Sequence, residues 1–213
     1  MYRRFGAFQC NLLLEGFYTR LNHVFVLEEI GKDEEHNAVI KERRNGQGAE
    51  VAGVTVEGKV AYLSLVQLQA GVTWQKSHYT RPEKWSKDSS VPAEKRIFRT
   101  PDWYGYFTAT YSPVKPLNIA LSGTYTGSMI VQHMKGYIPK DIAVTTPDFF
   151  DMNLKISYDF SLYKFITLQL NAGIQNIFNA YQRDFDQGKE RDSGYIYGPS
   201  MPRSYFAGAK LMF

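Results

Sequence analysis

The chain has 213 residues, enough for one all-β domain, and its formal net charge of +4 comes from basic and acidic residues that are mixed along the sequence. This mixing excludes the clustered basic surface of a nucleic-acid-binding protein, so no nucleic acid is expected as a partner. Cys10 is the single cysteine and no run of about 18 apolar residues occurs, which excludes an intrachain disulfide, a cysteine-based zinc site and a membrane-spanning helix.

About eight long β-strands are predicted from the alternation of apolar and polar residues, with no helical segment between them. They cover residues 8–30, 49–62, 65–78, 102–112, 117–131, 149–160, 165–178 and 201–213. The alternation of the first strand slips at Gly16, which is typical of a β-bulge. Long polar loops at 31–48, 79–100, 132–148 and 179–200 follow in turn with short connections at 63–64, 113–116 and 161–164. Such a pattern is typical of an antiparallel outer-membrane barrel.

The two faces of the predicted strands differ in polarity. One face of the strand at 65–78 carries Val66, Leu68, Ala70, Val72 and Trp74. The opposite face carries Gln67, Gln69, Gly71, Thr73 and Gln75. The sequence also combines 15 Tyr and 14 Phe with a negative mean hydropathy, which indicates aromatic girdles around a sheet whose other face is wet. We therefore expect outer-membrane lipid against one face and water against the other.

Several segments carry a family resemblance. Asn176-Ile177-Phe178-Asn179 resembles the Asn-Leu-Phe-Asn/Asp element near the end of TonB-dependent outer-membrane receptors. Residues 197–208, with the pair Pro202-Arg203, resemble the segment that precedes the last strand of that family and its terminal Phe. Residues 45–58 and 16–20 are also similar to strand segments of these receptors.

The resemblance implies an all-β fold: an antiparallel transmembrane β-barrel segment that belongs to a larger barrel of about 22 strands. Residues 1–213 would be the C-terminal part of that barrel. The family's signal peptide, energy-coupling box and plug domain have no counterpart in the sequence, so we expect the N-terminal part of the receptor to lie outside this chain.

The function implied is uptake of a scarce solute across the outer membrane: an iron chelate, cobalamin, an oligosaccharide or a peptide. The partners would be this small solute and the inner-membrane energy-coupling protein. Without a plug, the segment is not expected to suffice for active transport. The long loops would face outside, and the predicted ligand-contact residues in them are Trp85, Tyr137, Tyr195 and Tyr197.

Phe213 is predicted to be read by the barrel assembly machinery, because the resemblance places it at the terminal aromatic position of the last strand. Its simpler role is that of a lipid-facing end residue, and the two roles are compatible. For Asn176 and Asn179 a hydrogen-bonding role in a turn or at a strand end is favoured over solute contact. Pro202 is expected to shape the return from the loop into the last strand.

Catalysis finds no support in the sequence, and neither an enzyme activity nor a cofactor is predicted. The four histidines are widely spaced and none stands in a metal-ligand pattern. The carboxylates of the last long loop are predicted to be exposed charge, because their spacing does not fit an EF-hand calcium loop: Asp184, Asp186, Glu190 and Asp192.

Two other architectures remain open at this point. A complete eight-stranded outer-membrane barrel with a structural or adhesion role would pair its first strand with its last. A soluble β-sandwich binding module would pack the apolar faces of its strands against one another.

Overall fold

The computed structural model describes residues 2–36 and 38–213, so Met1 and Asn37 lie outside the described residues. Within these ranges no helix is long and apolar enough to cross a membrane. The regular elements are β1 (Tyr2–Phe5), β2 (Phe8–Leu21), β3 (Phe25–Asp33), β4 (Ala38–Asn45), β5 (Ala49–Tyr62), β6 (Val66–Glu83), β7 (Glu94–Arg96), β8 (Trp103–Val114), β9 (Leu117–Thr126), β10 (Ile130–His133), β11 (Ile142–Thr145), β12 (Phe149–Tyr163), β13 (Ile166–Gln175) and β14 (Ser204–Met212).

The main sheet is an antiparallel meander with the strand order β1-β2-β5-β6-β8-β9-β12-β13-β14, and β7 pairs with β6. The hairpins β3–β4 and β10–β11 form two separate sheets within the long connections. Among the described residues β1 pairs only with β2 and β14 only with β13, so the sheet is open. The antiparallel all-β prediction is therefore confirmed, whereas the complete eight-stranded barrel is wrong because its first and last strands do not meet.

The register keeps apolar residues on one face across the whole sheet. Val56 pairs with both Leu14 and Val72, and Val72 in turn pairs with Gly105. This face is open: the side chain of Leu14 is 69% exposed and no second layer covers it within the described part of the chain. The β-sandwich alternative is therefore wrong, because the apolar faces do not pack against one another.

The connections divide the sheet into two ends. At the turn end, β5 passes to β6 through 63–65, β8 to β9 through 115–116 and β12 to β13 through 164–165. Leu63 adopts a left-handed backbone with a φ of 49° in the first of these turns. The predicted short turns are confirmed. At the loop end, long segments follow β2, β6, β9 and β13. The buried apolar residues of the described chain lie in or next to these segments: Ala49, Ile130, Val131, Phe149 and Tyr195.

The first predicted strand and the loop after it are wrong in detail. β2 ends at Leu21, and the predicted loop at 31–48 contains much of the β3–β4 hairpin, which begins at Phe25. Gly16 is not at a bulge, because it pairs with Val54 inside an uninterrupted ladder. The alternation slips there because Phe17 lies on the polar face, where its ring occupies the space that a Cβ of Gly53 would need.

Other strand limits shift by several residues. β6 continues to Glu83 and pairs there with β7, so the predicted loop begins later than expected. The strand predicted at 117–131 is divided into β9 and β10. The short strand β1, which returns to β2 through Gly6 with a φ of 59°, was not predicted because four residues are too few to show a period.

Candidate functional site

Three long segments meet at the loop end of the sheet. They are the β6–β8 loop (residues 84–102), the β9–β12 loop (residues 127–148, with β10 and β11) and the β13–β14 loop (residues 176–203). Side chains of all three contact one another there, and they form the most highly buried polar cluster at this end of the described chain. This cluster is the candidate site.

His133 at the end of β10 pairs with Asp186 of the β13–β14 loop. Its Nε2 lies 3.0 Å from Oδ1 and 2.9 Å from Oδ2, and the two side chains are only 8% and 3% exposed. The backbone N–H of Asp192 donates to the same carboxylate at 2.9 Å. The imidazole ring stacks on Tyr195 with 3.7 Å between ring centroids. The prediction that Asp186 is exposed is therefore wrong.

Asp184 accepts two tyrosine hydroxyls. The hydroxyl of Tyr195 donates at 2.8 Å and that of Tyr197 at 2.6 Å. Burial alone would raise the pKa of the Asp184 carboxyl, but these hydrogen bonds hold its pKa below the usual value. Burial and the neighbouring carboxylate raise the pKa of Tyr195, and they raise that of Tyr197 to about 12. Both hydroxyls therefore remain protonated donors at neutral pH.

The side chain of Gln182 is buried inside the β13–β14 loop and hydrogen-bonds to the loop backbone. It donates from Nε2 to the carbonyl of Tyr195 at 3.0 Å and accepts the N–H of Tyr197 at 2.8 Å. The backbone N–H of Gln182 also donates to the carbonyl of Pro199 at 3.2 Å. The loop is thus held in shape without a strand or helix, because side-chain amide groups replace a backbone ladder.

The predicted motif residues lie at the base of the same loop. Asn176 is 4% exposed and adopts a left-handed backbone, and its side-chain amide donates to the carbonyls of Ala180 and Met201 at 3.1 and 3.0 Å. Asn179 is left-handed as well, and its Oδ1 accepts the backbone N–H of Arg203 at 2.9 Å. These bonds bring the Asn-Ile-Phe-Asn segment and the Pro-Arg segment together.

The other predicted residues of this region lie in different settings. The indole N–H of Trp85 donates to the carbonyl of Pro92 at 3.2 Å, and its ring meets Phe98 edge-on. Tyr137 is 55% exposed, at the turn of the β10–β11 hairpin. Tyr195 is buried with both its ring and its hydroxyl engaged, so among the four predicted contact residues it is the least accessible. Solute contact by these residues stays a prediction.

The remaining motif residues border the apolar face or the chain end. The backbone N–H of Ile177 donates to the carbonyl of Met152 at 2.7 Å. The ring of Phe178 is exposed and stacks on Phe150. Phe213 follows β14 at the turn end and is 95% exposed.

The β6–β8 loop is tied to both neighbours by residues that sequence reasoning missed. The hydroxyl of Ser86 donates to Asp141 Oδ2 at 2.6 Å, and the other oxygen of Asp141 accepts the N–H of Lys135 at 2.6 Å. The guanidinium of Arg99 donates to the carbonyls of Ile196, at 2.6 Å, and of Gly194. No spacing in the sequence signals the contacts of Ser86 and Arg99, because each joins residues of different loops.

Below the loops, the polar face of the sheet carries two open cavities. One of about 400 Å³ has tyrosines and threonines of four neighbouring strands in its lining, among them Thr55, Thr73, Tyr104, Tyr106 and Thr124. The other, of about 350 Å³, lies next to the base of the β13–β14 loop between Asp151, Asn153 and Ser204. The β13–β14 loop and the polar face of the sheet therefore meet in the second cavity, which Asn176 and Ser200 of the loop also line.

Comparison with known proteins gives a consistent result. A family model described as the TonB dependent receptor-like β-barrel matches residues 4–177. The ferric-catecholate import receptor Fiu of E. coli K12 is 19% identical with a TM-score of 0.58, over 96% of this chain and 27% of that one. FpvA of P. aeruginosa, bound to a heterologous pyoverdine, is 14% identical with a TM-score of 0.59, over 97% and 25%. The ferric enterobactin receptor PfeA of Pseudomonas aeruginosa is 16% identical with a TM-score of 0.57, over 99% and 29%.

At these identities the solved structures establish the fold, and the chain spans about a quarter of their length. No curated protein sequence matches the chain.

Proposed function

The chain belongs to the TonB-dependent receptor β-barrel family, and from this premise we propose that it forms one section of the wall of an outer-membrane transporter. Receptors of this family are transporters of Gram-negative bacteria that lie in the outer membrane, which is the location of this chain. The observation that carries the proposal is the single apolar face of the sheet, which is continuous through the strand register and is left open to its surroundings.

The dimensions of this face fit a membrane. Its aromatic borders are the pair Phe8 and Tyr62 at the turn end and the pair Trp74 and Trp103 at the loop end. From Val66, which pairs with Tyr62, to Trp74 a strand rises about 27 Å. A tilt of about 40° reduces this to about 20 Å, close to the apolar band of about 25 Å on outer-membrane barrels. We therefore place lipid against this face and the aqueous lumen against the other.

The long loops would face the outside and take part in solute capture. The neighbours of known structure import ferric catecholates or bind pyoverdine or enterobactin as ferric complexes. We therefore propose a ferric chelate as the first solute to test, with cobalamin, an oligosaccharide or a peptide as the alternatives. Energy would come from the inner-membrane coupling protein, and assembly from the machinery proposed to read Phe213.

Residues 1–213 would supply only the C-terminal part of the barrel. The coverage of a quarter of the solved receptors supports the view that the chain is one part of a barrel, and so do the two open edges at β1 and β14, which further strands would pair. An unpaired edge within a membrane leaves backbone groups without partners, at a cost of several kcal/mol per group. The plug and the remaining wall would come from the rest of the receptor.

The test compares the chain with a complete receptor that contains it. Uptake of radioactive iron from a ferric catecholate is measured in cells with and without a collapsed proton gradient. We expect energy-dependent uptake with the complete receptor and none with the 213-residue chain alone. Energised uptake by the chain alone would refute the proposal that it is one section of the wall, and uptake of another solute class by the complete receptor would replace the ferric chelate.

A further inference from the structure

The three loops of the candidate site contact one another pairwise, so their contacts close a triangle. Ser86 and Asp141 join the β6–β8 loop to the β9–β12 loop, and Arg99 joins the β6–β8 loop to the β13–β14 loop. His133 and Asp186 form the third side. A loop held at one point can swing about it, whereas three loops joined in a closed triangle can move only together.

The side chains of the His133–Asp186 contact are buried. Both members of the pair are at most 8% exposed, and Tyr195 covers one face of the imidazole. Next to it the β10–β11 turn lies directly against the β13–β14 loop, since a Cβ on Gly136 would collide with the backbone carbonyl of Glu190. The backbone N–H of Met134 also donates to Asp192 at 2.9 Å. Removal of His133 would leave the buried side chain of Asp186 without its side-chain partner, which is more costly than the loss of a surface ion pair.

The β13–β14 loop is fixed at its base as well. Asn176 and Asn179 hold its two ends together, and Gln182 fills its interior. Because its base and interior are fixed, the position of the loop depends on its contacts with the neighbouring loops. Among these contacts, the imidazole of His133 pairs with the buried side chain of Asp186, and its Nε2 faces both carboxylate oxygens.

We propose that His133 is a positioning residue that locks the three loops into one rigid outer surface. An incoming solute then meets a preformed surface, and not separate loops that close over it. The part of this inference that concerns solute rests on the proposed function, whereas the lock itself does not. Preformed surfaces bind with a smaller entropic cost, since no loop has to be ordered on binding.

Hydrogen–deuterium exchange in isolated outer membranes, without solute, tests the lock. The reporters are the amide of Asp192, which donates to Asp186, and the amide of Tyr195, which donates to the carbonyl of Asp192. In His133→Ala we expect both amides to exchange at least about a hundredfold faster. The exchange rates in His133→Gln should lie between those of wild type and His133→Ala, because the glutamine amide can still donate to Asp186 but cannot stack on Tyr195.

The matched control is His78→Ala. His78 is also paired with a carboxylate, that of Glu50 at 3.6 Å, but its side chain is well exposed on β6. It lies opposite Arg96 at the edge of the β6–β8 loop and takes no part in the three contacts that join the loops. Its substitution should leave the reporter amides unchanged. In a complete receptor, His133→Ala should raise the solute concentration at half-maximal uptake severalfold while the maximal rate is retained.

Two results would overturn the lock. One is unchanged exchange of the reporter amides in His133→Ala. The other is faster exchange in β12 and β13 as well, which would make His133 a residue that stabilises the whole sheet. A double variant gives a second measurement at the amide of Tyr195: the addition of His133→Ala to Asp186→Ala should speed its exchange little further, and additive effects would contradict the pairing. The amide of Asp192 does not serve in this comparison, because Asp186→Ala removes its acceptor. The exchange measurement does not depend on uptake of a ferric chelate. Failure of the proposed role of His133 can therefore be distinguished from failure of the proposed transport function.

Discussion

Asn179 Oδ1 accepts the backbone N–H of Arg203 across 24 positions of the sequence, at 2.9 Å. Asn176 makes a parallel connection to the carbonyl of Met201 across 25 positions. The two segments that carry the family resemblance at this end of the chain are therefore one physical unit. The left-handed backbone of both asparagines lets their short side chains reach across the base of the β13–β14 loop.

Removal of this connection should loosen the last loop. Asn176→Ala is expected to reduce the free energy of unfolding by about 1–3 kcal/mol, since it leaves buried backbone groups without partners. Asn179→Ala should reduce the free energy of unfolding by a smaller amount, because the side chain of Asn179 accepts a single hydrogen bond, from Arg203. Asn179→Gly is the control, because glycine keeps the left-handed backbone and isolates the contribution of the hydrogen bond. Urea unfolding in detergent micelles measures the three values, and equal stabilities of wild type and Asn176→Ala would contradict the account.

The Asp184 cluster predicts how the loop responds to pH. The pKa of Asp184 is lowered in the folded chain, so its contribution is present at neutral pH and is lost as the pH falls below about 4, through the lowered pKa. The pKa of Tyr197 is raised to about 12, so its contribution is present below about pH 10 and is lost as the pH rises through the raised value.

Protease cleavage within the β13–β14 loop, measured as a function of pH, checks this prediction. Wild type should become more susceptible in acid, whereas Asp184→Asn should already be susceptible at pH 7 and lack this acid step. Tyr197→Phe should remove the alkaline step that Tyr197 causes. An unaltered acid step in Asp184→Asn would assign that transition to other groups.

Substitution of Phe213 distinguishes a role in barrel assembly from a role in stability. Its side chain is almost wholly exposed, so Phe213→Ala should change the free energy of unfolding by less than about 0.5 kcal/mol. If the assembly machinery reads this residue, the amount of receptor in the outer membrane should nevertheless fall severalfold. Phe165→Ala is the control, because Phe165 is also highly exposed, at 84%, and lies at the same end of the sheet but does not end the chain. Equal losses for the two variants would refute a specific role of Phe213.

Gly173 on β13 is predicted to be intolerant of a larger side chain. The ring of Phe206 on β14 and the carbonyl of Leu154 occupy the space that a Cβ of Gly173 would need. Gly173→Ala should therefore cost about 1–3 kcal/mol in the free energy of unfolding. Gly208→Ala is the matched control on the neighbouring strand, where the nearest atoms are 3.3 Å away and belong to the flexible side chain of Asn171. Equal stabilities of the two variants would contradict this packing.

The strands and their faces could be predicted from the sequence because they depend on a local period. Val72 and Thr73 are adjacent on β6 and therefore point to opposite faces, and their difference in polarity shows which face each belongs to. The β3–β4 hairpin was missed because charged residues such as Lys41 and Arg43 dominate it, and its pairing is not marked by an apolar stripe. The site was predicted only in part: the long loops were recognised, but His133 and Asp186 stand 53 positions apart and no local pattern joins them.

The central claim is that one face of the sheet meets lipid and the other meets water. Single cysteines along β6, in a Cys10→Ser background and in outer membranes, test it most directly. We predict that cysteines at Gln67 and Gln69 react with a water-soluble maleimide at least about tenfold faster than cysteines at Leu68 and Ala70, because the reactive thiolate does not form in hydrocarbon. A fluorophore at Leu68 or Ala70 should in turn be quenched by lipid-borne nitroxides. Equal reactivity at all four positions, or faster reaction at Leu68 and Ala70, would contradict the assignment of the two faces.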